Sequence, residues 1–192
     1  MPIYDYDGTA SHQISRLYDA EENSTVIHPI SKVYDFDGTT LSLIYSASYE
    51  VLTPTVDNTG GFKQHVNQAT DYAVSKNADG RYHAYAGRAN GTWWVSNIYT
   101  NNKFDFTNYK TLKFRVKPER DYAANKKIEC FLDTGSGAAK WFTLYPMGAI
   151  SSAERMFSFD VSDVSGELAI AFAFQSATDE YLGFSLFEII LE

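Results

Sequence analysis

The stretch Leu168-Ala169-Ile170-Ala171-Phe172-Ala173-Phe174 alternates large apolar residues with alanine. Successive side chains of a β-strand point to opposite faces, so this period of two predicts a strand with one face in a core. Earlier runs with a similar alternation predict further strands at 112–116, 128–132, 141–145 and 157–161. The last run, 184–191, is nearly continuous in apolar residues, which predicts a central strand.

Turn residues separate these runs, at Asp79-Gly80, Asn90-Gly91, Gly135-Ser136-Gly137 and Ser165-Gly166. About seven to nine short strands at such spacing predict an all-β fold, an antiparallel β-sandwich or jelly roll. Helix is predicted only as single turns at 121–125 and 149–153.

The chain has 192 residues, a net charge of −8 and 16% aromatic residues. This charge argues against binding duplex nucleic acid through its phosphates or a membrane through a polybasic surface. No apolar run is long enough for a transmembrane helix, so membrane insertion is not expected. The first residues lack a basic segment and an apolar core, and no secretory signal peptide is expected. Work outside a cell would then require lysis or assembly into a particle.

Cys130 is the single cysteine, which excludes an intramolecular disulfide and a cysteine-rich zinc site. It lies in the strand-like run 128–132, and we interpret it as a small buried apolar residue rather than a nucleophile. The four histidines lack the spacing of a metal site, and no cofactor is expected.

The first 50 residues carry eight acids and two bases, whereas the remaining 142 carry 16 acids and 14 bases. This asymmetry predicts a boundary between residues 50 and 61. The segment Thr53-Pro54-Thr55-Val56-Asp57-Asn58-Thr59-Gly60-Gly61 has turn and linker chemistry. We therefore divide the chain into a repeat segment at 1–50, a linker at 51–61 and a β-sandwich at 62–192.

The repeat segment contains two close copies of one motif, Ile3-Tyr4-Asp5-Tyr6-Asp7-Gly8-Thr9 and Val33-Tyr34-Asp35-Phe36-Asp37-Gly38-Thr39. A degenerate copy begins at Leu17-Tyr18-Asp19. Asp-Gly between strand-like residues predicts a β-hairpin, and two or three hairpins cannot bury a core alone. The segment is therefore expected to pack on the sandwich or on copies of itself in an oligomer.

The Asp-x-Asp-Gly-Thr loops also permit a calcium interpretation, because carboxylates and hydroxyls are oxygen ligands. Each loop offers two carboxylates and lacks the third acid and the distal glutamate of an EF-hand loop. The alternatives are a structural turn and a calcium site with the ligands Asp5, Asp7, Asp35 and Asp37.

Two features carry a resemblance to a known class of proteins. One is the repeated Tyr-Asp-x-Asp-Gly-Thr unit with Ile-Ser-basic-aliphatic-Tyr, and the other is Thr100-Asn101-Asn102-Lys103-Phe104-Asp105-Phe106-Thr107-Asn108-Tyr109-Lys110-Thr111-Leu112-Lys113-Phe114. Both resemble tail-fibre or receptor-binding-type proteins of phages and prophages of Gram-positive gut bacteria. There the second motif leads into a jelly-roll domain similar to galactose-binding-like carbohydrate modules. The closing run Phe187-Glu188-Ile189-Ile190-Leu191-Glu192 is similar to the last strand of such modules.

The resemblance implies a non-catalytic, oligomeric adhesion component of a virion or prophage tail, made in the bacterial cytoplasm and extracellular after release. It also implies a cell-surface carbohydrate as the partner. Such fibres are commonly trimers, which would supply the repeats with packing partners. The alternative is a structural or assembly module of the virion that binds no ligand.

Candidate sugar-binding residues cluster between positions 81 and 94, where aromatic faces for sugar C–H surfaces alternate with polar groups for hydroxyls. If 82–86 is a strand, His83 and Tyr85 share the face opposite to Tyr82. The candidates in this run are Arg81, His83, Tyr85, Arg88, Trp93 and Trp94. Trp141 is a second candidate location. Ordinary packing of these aromatic residues is the alternative.

A small polysaccharide-active enzyme is a further hypothesis, and it would need two carboxylates at a set separation. The available acids are Asp105, Asp133, Asp160, Glu167 and Glu188. No nucleophile elbow, phosphate loop or dinucleotide fingerprint is present. The chain is therefore expected not to be an enzyme.

Overall fold

The computed structural model describes residues 3–6, 11–14, 18–20, 27–29, 32–36, 41–46, 48–66, 71–87, 94–178 and 180–192. Side chains are described within 48–64, 72–87, 95–178 and 180–192. The chain divides into two compact units, Met1–Tyr49 with Glu192, and Glu50–Leu191. Across the described ranges every regular element is a β-strand, and none of them offers a helix that could cross a membrane.

The smaller unit consists of short antiparallel hairpins. Its strands are β1 (Ile3–Tyr6), β2 (Ser11–Ile14), β3 (Tyr18–Ala20), β4 (Ile27–Pro29), β5 (Lys32–Phe36) and β6 (Leu41–Ser46). They pair as β1 with β2, β3 with β4 and β5 with β6. The strands of the first and third hairpins flank the two Asp-Gly-Thr sequences, so the prediction of hairpin repeats is confirmed.

The larger unit holds the remaining strands. These are β7 (Tyr49–Leu52), β8 (Phe62–Val66), β9 (Asp71–Lys76), β10 (Tyr82–Gly87), β11 (Trp94–Thr100), β12 (Phe104–Asp105), β13 (Thr111–Pro118), β14 (Tyr122–Asp133), β15 (Ala138–Ile150), β16 (Arg155–Asp160), β17 (Glu167–Ser176) and β18 (Leu182–Leu191). The single turns of helix expected at 121–125 and 149–153 are wrong. Residues 122–125 begin β14, and residues 149–150 end β15, because the long paired strands extend through both segments.

Two antiparallel sheets form the sandwich, as the alternation predicts. Sheet 1 has the strand order β16-β13-β18-β10-β9, and β7 also pairs with β18. Sheet 2 has the order β15-β14-β17-β11-β8, and β12 also pairs with β17. The apolar run at the end of the chain, β18, is central in sheet 1, and the alanine-alternating strand β17 is central in sheet 2.

A cluster of phenylalanine rings fills the space between the inward faces of the two sheets. Phe172 of sheet 2 contacts Phe114 and Phe184 of sheet 1 at ring-centroid distances of 5.2 and 5.6 Å. Phe174 lies 5.0 Å from Phe184. All four rings are fully buried. Burying an aromatic side chain of this size is among the largest favourable contributions that a single residue makes to folding.

The stretch 51–61, expected to be a linker, is built into the larger unit. Val51 and Leu52 are fully buried, and their strand β7 pairs with β18. Asp57 then accepts hydrogen bonds from Lys76 (2.6 Å), Tyr82 (2.9 Å) and Thr59 (2.5 Å). Turn residues do form turns here, but their polar groups are paired with the sandwich.

The pKa of the Asp57 carboxyl depends on its hydrogen bonds to Lys76, Tyr82 and Thr59. Partial burial acts to raise the pKa of Asp57, but the hydrogen bonds from Lys76, Thr59 and Tyr82 outweigh burial and hold it below the ordinary value. The carboxylate form therefore stabilises the attachment of 53–61 to strands β9 and β10.

Candidate functional site

The outward face of sheet 2 is shallow at its centre, because the outward residues of β17 are alanines. Ile170, Phe172 and Phe174 point into the core. Ala171 and Ala173 therefore lie on the outer side of the same strand, where they join Phe131 and Tyr99 in a second apolar cluster. The small side chains at the centre let large side chains from neighbouring strands lie across it.

A row of aromatic residues crosses this face. Trp141 of β15 lies opposite Phe131 of β14, Phe131 opposite Ala171 of β17, and Ala171 opposite Tyr99 of β11. The Trp141 and Phe131 rings stack with centroids 4.4 Å apart and an interplanar angle of 26°. Tyr99 meets Phe131 edge to face at 5.5 Å. Trp141 is 51% exposed and Phe131 only 4%, so Trp141 presents an open ring surface on a rigid support.

A second row, which is mostly polar, runs beside the aromatic row and is displaced from it by two residues along each strand. Its polar members are Thr143, Glu129 and Asn97, and the apolar Ala173 of β17 lies between the last two. Glu129 accepts hydrogen bonds from Gln175 (3.1 Å) and Thr143 (3.5 Å) and pairs with Lys127 at 2.7 Å. We call Trp141, Phe131, Tyr99 and these polar neighbours the aromatic face.

Asn97 retains hydrogen-bonding capacity at the edge of this row. Its Nδ2 donates to the Tyr99 hydroxyl at 3.3 Å. Its Oδ1 is buried and has no hydrogen-bond partner among the described residues. A buried carbonyl oxygen without a partner costs free energy, which a ligand hydroxyl that donates to it would recover.

A cavity of about 400 Å³ lies on the other side of the aromatic row, next to Tyr99. Its lining residues are Lys63, Gln64, Tyr99, Asp133 and Gly135. Gly135 has a φ of +96° in the tight turn between β14 and β15, a conformation that favours glycine. The aromatic row thus has polar groups on both flanks, with an amide or carboxylate on each.

Of the run 81–94, which the sequence singles out, residues 82–87 form β10 of sheet 1 and Trp94 begins β11 of sheet 2. Tyr82 and Ala84 are buried and His83 and Tyr85 point outward from β10, as predicted. Arg81 packs its guanidinium 4.6 Å from the Phe187 ring centroid and pairs with Asp79. Arg88, Trp93 and the side chain of Trp94 lie outside the described residues.

His83 and Tyr85 line a groove of about 320 Å³ together with Glu119, Arg120 and Tyr181. This groove is on the outward face of sheet 1, whereas Trp141 is on the outward face of sheet 2. The structure therefore joins two of the candidates in one groove and places Trp141 in a separate location. Arg81 is not among the residues that line the groove.

Sequence reasoning missed most of the aromatic face, namely Phe131, Tyr99, Glu129, Asn97 and Gln175. A usable signal was present, because Glu129 and Phe131 alternate with the core residues Ile128, Cys130 and Leu132. Which strands are neighbours, and in which register, is a property of the folded sheet and is absent from the local pattern.

Neither a metal site nor a reactive thiol is seen in the part of the chain that the structure describes. No group of three or more His, Cys, Asp or Glu residues is placed to hold a metal within that part. The side chains of Asp5, Asp7, Asp35 and Asp37, the calcium candidates, lie outside it. Cys130 is fully buried, and burial raises the pKa of its thiol well above the ordinary value, which disfavours the reactive thiolate.

Comparisons with known proteins give similarity of fold and no family. No protein-family model and no curated protein matches the sequence. A family 29 carbohydrate-binding module, in mutant form, is similar in structure over 77% of this chain and 92% of that chain, with 14% identity and a TM-score of 0.44. A mutant of this module complexed with cellulohexaose gives 13% identity and a TM-score of 0.43 over 76% and 89%. The glycoside hydrolase domain of Endo-D from Streptococcus pneumoniae has 14% sequence identity and a TM-score of 0.48, over 68% of this chain and 21% of that chain.

At these identities and TM-scores, the similarities concern the arrangement of strands, and no ligand follows from them.

Proposed function

We propose that the sandwich binds carbohydrate chains on the aromatic face of sheet 2. The observation that carries the proposal is the exposed Trp141 ring, stacked on buried Phe131 and aligned with Tyr99 between two flanks of polar groups. A sugar ring has an apolar C–H surface and a rim of hydroxyls. An exposed, rigid aromatic surface beside carboxylate and amide groups matches both parts of that ligand.

The dimensions of the aromatic face favour a chain over a single sugar. At a strand spacing of roughly 4.8 Å, the backbones of Trp141 and Tyr99, three strands apart, are about 14 Å from each other. A ligand that spans this distance has several linked rings. The outward alanines of β17 are buried in a cluster with Phe131 and Tyr99, so the chain would cross the sheet over these rings.

We propose further that this face binds without hydrolysis. Glu129 and Asp133, the carboxylates on the two flanks of the aromatic row, are four residues apart on β14, so their backbones are about 13 Å apart. Paired carboxylates in glycosidases are about 5–10 Å apart. In addition, Glu129 is committed to Lys127, Gln175 and Thr143, which suits a fixed hydrogen-bond acceptor rather than a proton donor.

A glycan array, followed by NMR of the best polysaccharide fragment, tests this function. We expect binding to one class of polysaccharide, with a shift of the Trp141 indole N–H signal and of amides in β14, β15 and β17. Fragments with several sugar units should bind more tightly than the monosaccharide, because they reach both Trp141 and Tyr99. Absence of binding across the array, or shifts that avoid sheet 2, would contradict the proposal.

We also propose that the protein is a tail-fibre-type adhesion component of a phage or prophage, assembled as a trimer. The support is the resemblance of the repeats and of the run 100–114, together with the hairpins of the smaller unit. An isolated two-stranded hairpin is marginal in water, so three of them in one chain favour partners from other copies. A virion location would follow from this assignment.

Removal of residues 1–46 is expected to convert the trimer into a folded monomer. The cut lies before β7, which belongs to sheet 1 and must be kept. Light scattering coupled to size-exclusion chromatography gives the mass of both forms, and circular dichroism checks the sandwich. A full-length monomer, or a truncated chain with unchanged assembly state, would refute the role of the repeats.

A further inference from the structure

The groove on sheet 1 has aromatic walls and a polar end. The Tyr85 ring lies 6.1 Å from the Tyr181 ring and 6.1 Å from the His83 ring, centroid to centroid. Tyr181 is 40% exposed. Glu119 and Arg120 come from the turn after β13 and complete the lining. Nothing in the function proposed for sheet 2 uses these residues.

Two glycines allow these walls to lie directly on the sheet. A Cβ at Gly183 would be 2.5 Å from a carboxylate oxygen of Glu119 and 3.2 Å from Tyr85. A Cβ at Gly87 would be 2.5 Å from the Tyr181 ring. Both contacts are far closer than van der Waals distance, so any larger residue would displace Glu119 or Tyr181. The absence of two side chains therefore shapes the groove.

The turn that carries Glu119 and Arg120 is fixed to the floor of the groove. The backbone N–H of Glu119 donates to the Gly183 carbonyl at 2.9 Å, and the Gly183 N–H donates to the Tyr122 hydroxyl at 2.9 Å. Tyr122 is almost fully buried. Burial also raises the pKa of the Tyr122 hydroxyl, so it stays protonated at neutral pH. The backbone from which the Glu119 and Arg120 side chains extend is thus attached to strand β18.

The loop that carries Tyr181 is fixed from below by a buried lysine. Lys126 has a fully buried side chain, and its Nζ donates to Thr178 and pairs with Glu180 at 3.0 Å. The hydrogen bond and charge of Lys126 hold the pKa of Glu180 below its ordinary value. Burying an ammonium group is costly without such partners. This anchor holds the residue before Tyr181 in place and so positions the aromatic wall.

The polar groups of the groove are only loosely engaged with one another. The Glu119 carboxylate lies 3.9 Å from His83 Nε2, beyond hydrogen-bond distance. The Arg120 guanidinium lies 5.3 Å from the Tyr122 ring centroid and interacts electrostatically with the Tyr122 hydroxyl and with Glu180. A carboxylate, an imidazole and a guanidinium thus line the groove around Tyr85.

We infer that this groove is a second sugar site, separate from the aromatic face, which takes one pyranose ring. The sugar ring would lie over the exposed surface of the adjoining Tyr85 and Tyr181 rings, whose centroids are 6.1 Å apart, with hydroxyls donating to Glu119 and accepting from Arg120. A volume of about 320 Å³ is at the small end of ligand pockets, which suits one sugar unit rather than a chain. The lining has one carboxylate, so hydrolysis by a carboxylate pair is not supported there.

Titration with a panel of methyl pyranosides, followed by NMR of the full chain, tests the inference. We expect at least one pyranoside to shift the ring signals of His83, Tyr85 and Tyr181 in a saturable way. Tyr181→Ala should weaken that binding at least about tenfold, a loss of roughly 1.4 kcal/mol. Gly183→Ala should weaken it as well by displacing Glu119. Trp141→Ala and Met156→Ala, an exposed residue on the far edge strand of sheet 1, should leave it unchanged.

The outcomes separate this site from the aromatic face. Pyranoside shifts confined to the Trp141 region, or groove shifts that persist in Tyr181→Ala, would overturn the second site and leave the first. Groove shifts in a protein that binds no polysaccharide through Trp141 would support the groove and refute the aromatic face. Absence of any shift with every pyranoside would overturn the groove inference.

Discussion

Trp141→Ala is expected to lower the affinity for the polysaccharide at least about tenfold, or roughly 1.4 kcal/mol. The physical reason is the loss of the open ring surface, since half of the Trp141 side chain faces solvent. Stability should fall by no more than about 1.5 kcal/mol, which is the scale of one lost aromatic pair with Phe131. Isothermal titration with the array-selected fragment and thermal unfolding measure the two effects.

Two companion variants make the Trp141 test specific. Trp141→Phe keeps an aromatic surface and should retain most of the affinity. Met147→Ala removes another exposed apolar side chain of β15 and should change neither affinity nor stability appreciably. Unaltered binding by Trp141→Ala would exclude the aromatic face as the site. A loss in Met147→Ala of equal size would show that the effect is not specific to the ring.

Phe172→Ala is expected to reduce the free energy of unfolding by about 3–5 kcal/mol, the usual cost of truncating a buried phenylalanine. Phe172 is fully buried at the centre of β17 and contacts Phe114 and Phe184 of the opposite sheet. Its loss leaves a cavity between the sheets. Urea unfolding, monitored by circular dichroism, gives the change, which is a large part of the stability of a typical domain.

Phe172→Leu is the graded comparison, because it keeps an apolar side chain and should cost less than the alanine variant. Met156→Ala is the surface control and is expected to stay within about 0.5 kcal/mol of the unmodified protein. A loss below about 1 kcal/mol in Phe172→Ala would mean that this ring is not at the centre of a closed core. The packing of the two sheets against each other would then need revision.

The strands of the sandwich could be predicted because their signal is local. In 168–174 and 112–116, the period of two reports which side chains are buried, and the structure places these residues in β17 and β13. The central position of the last strand could also be predicted, since the continuous apolar character of β18 reflects its place in the middle of sheet 1. The contacts of 51–61 could not be predicted, because turn residues look the same in a sequence whether the turn is free or, as at Asp57, hydrogen-bonded to a sheet.

The candidate sites were harder to predict, because each depends on residues distant in sequence. His83 and Tyr85 could be assigned to one outward face from alternation alone. Their groove partners Glu119, Arg120 and Tyr181 come from turns after other strands. Similarly, Trp141 was a candidate by itself, while its support from Phe131 could not be read from the chain.

By itself, the sequence determined the fold class, the hairpin repeats and the inward or outward direction of most sandwich side chains. These properties follow from the two-residue period of a strand and from turn residues, which act over a few positions. The tertiary structure alone decided which strands are neighbours and in which register they pair. The register of β15, β14, β17 and β11 places Trp141, Phe131, Ala171 and Tyr99 in one row. This register depends on burying the apolar face of every strand in the core at once, which is a long-range property of the chain.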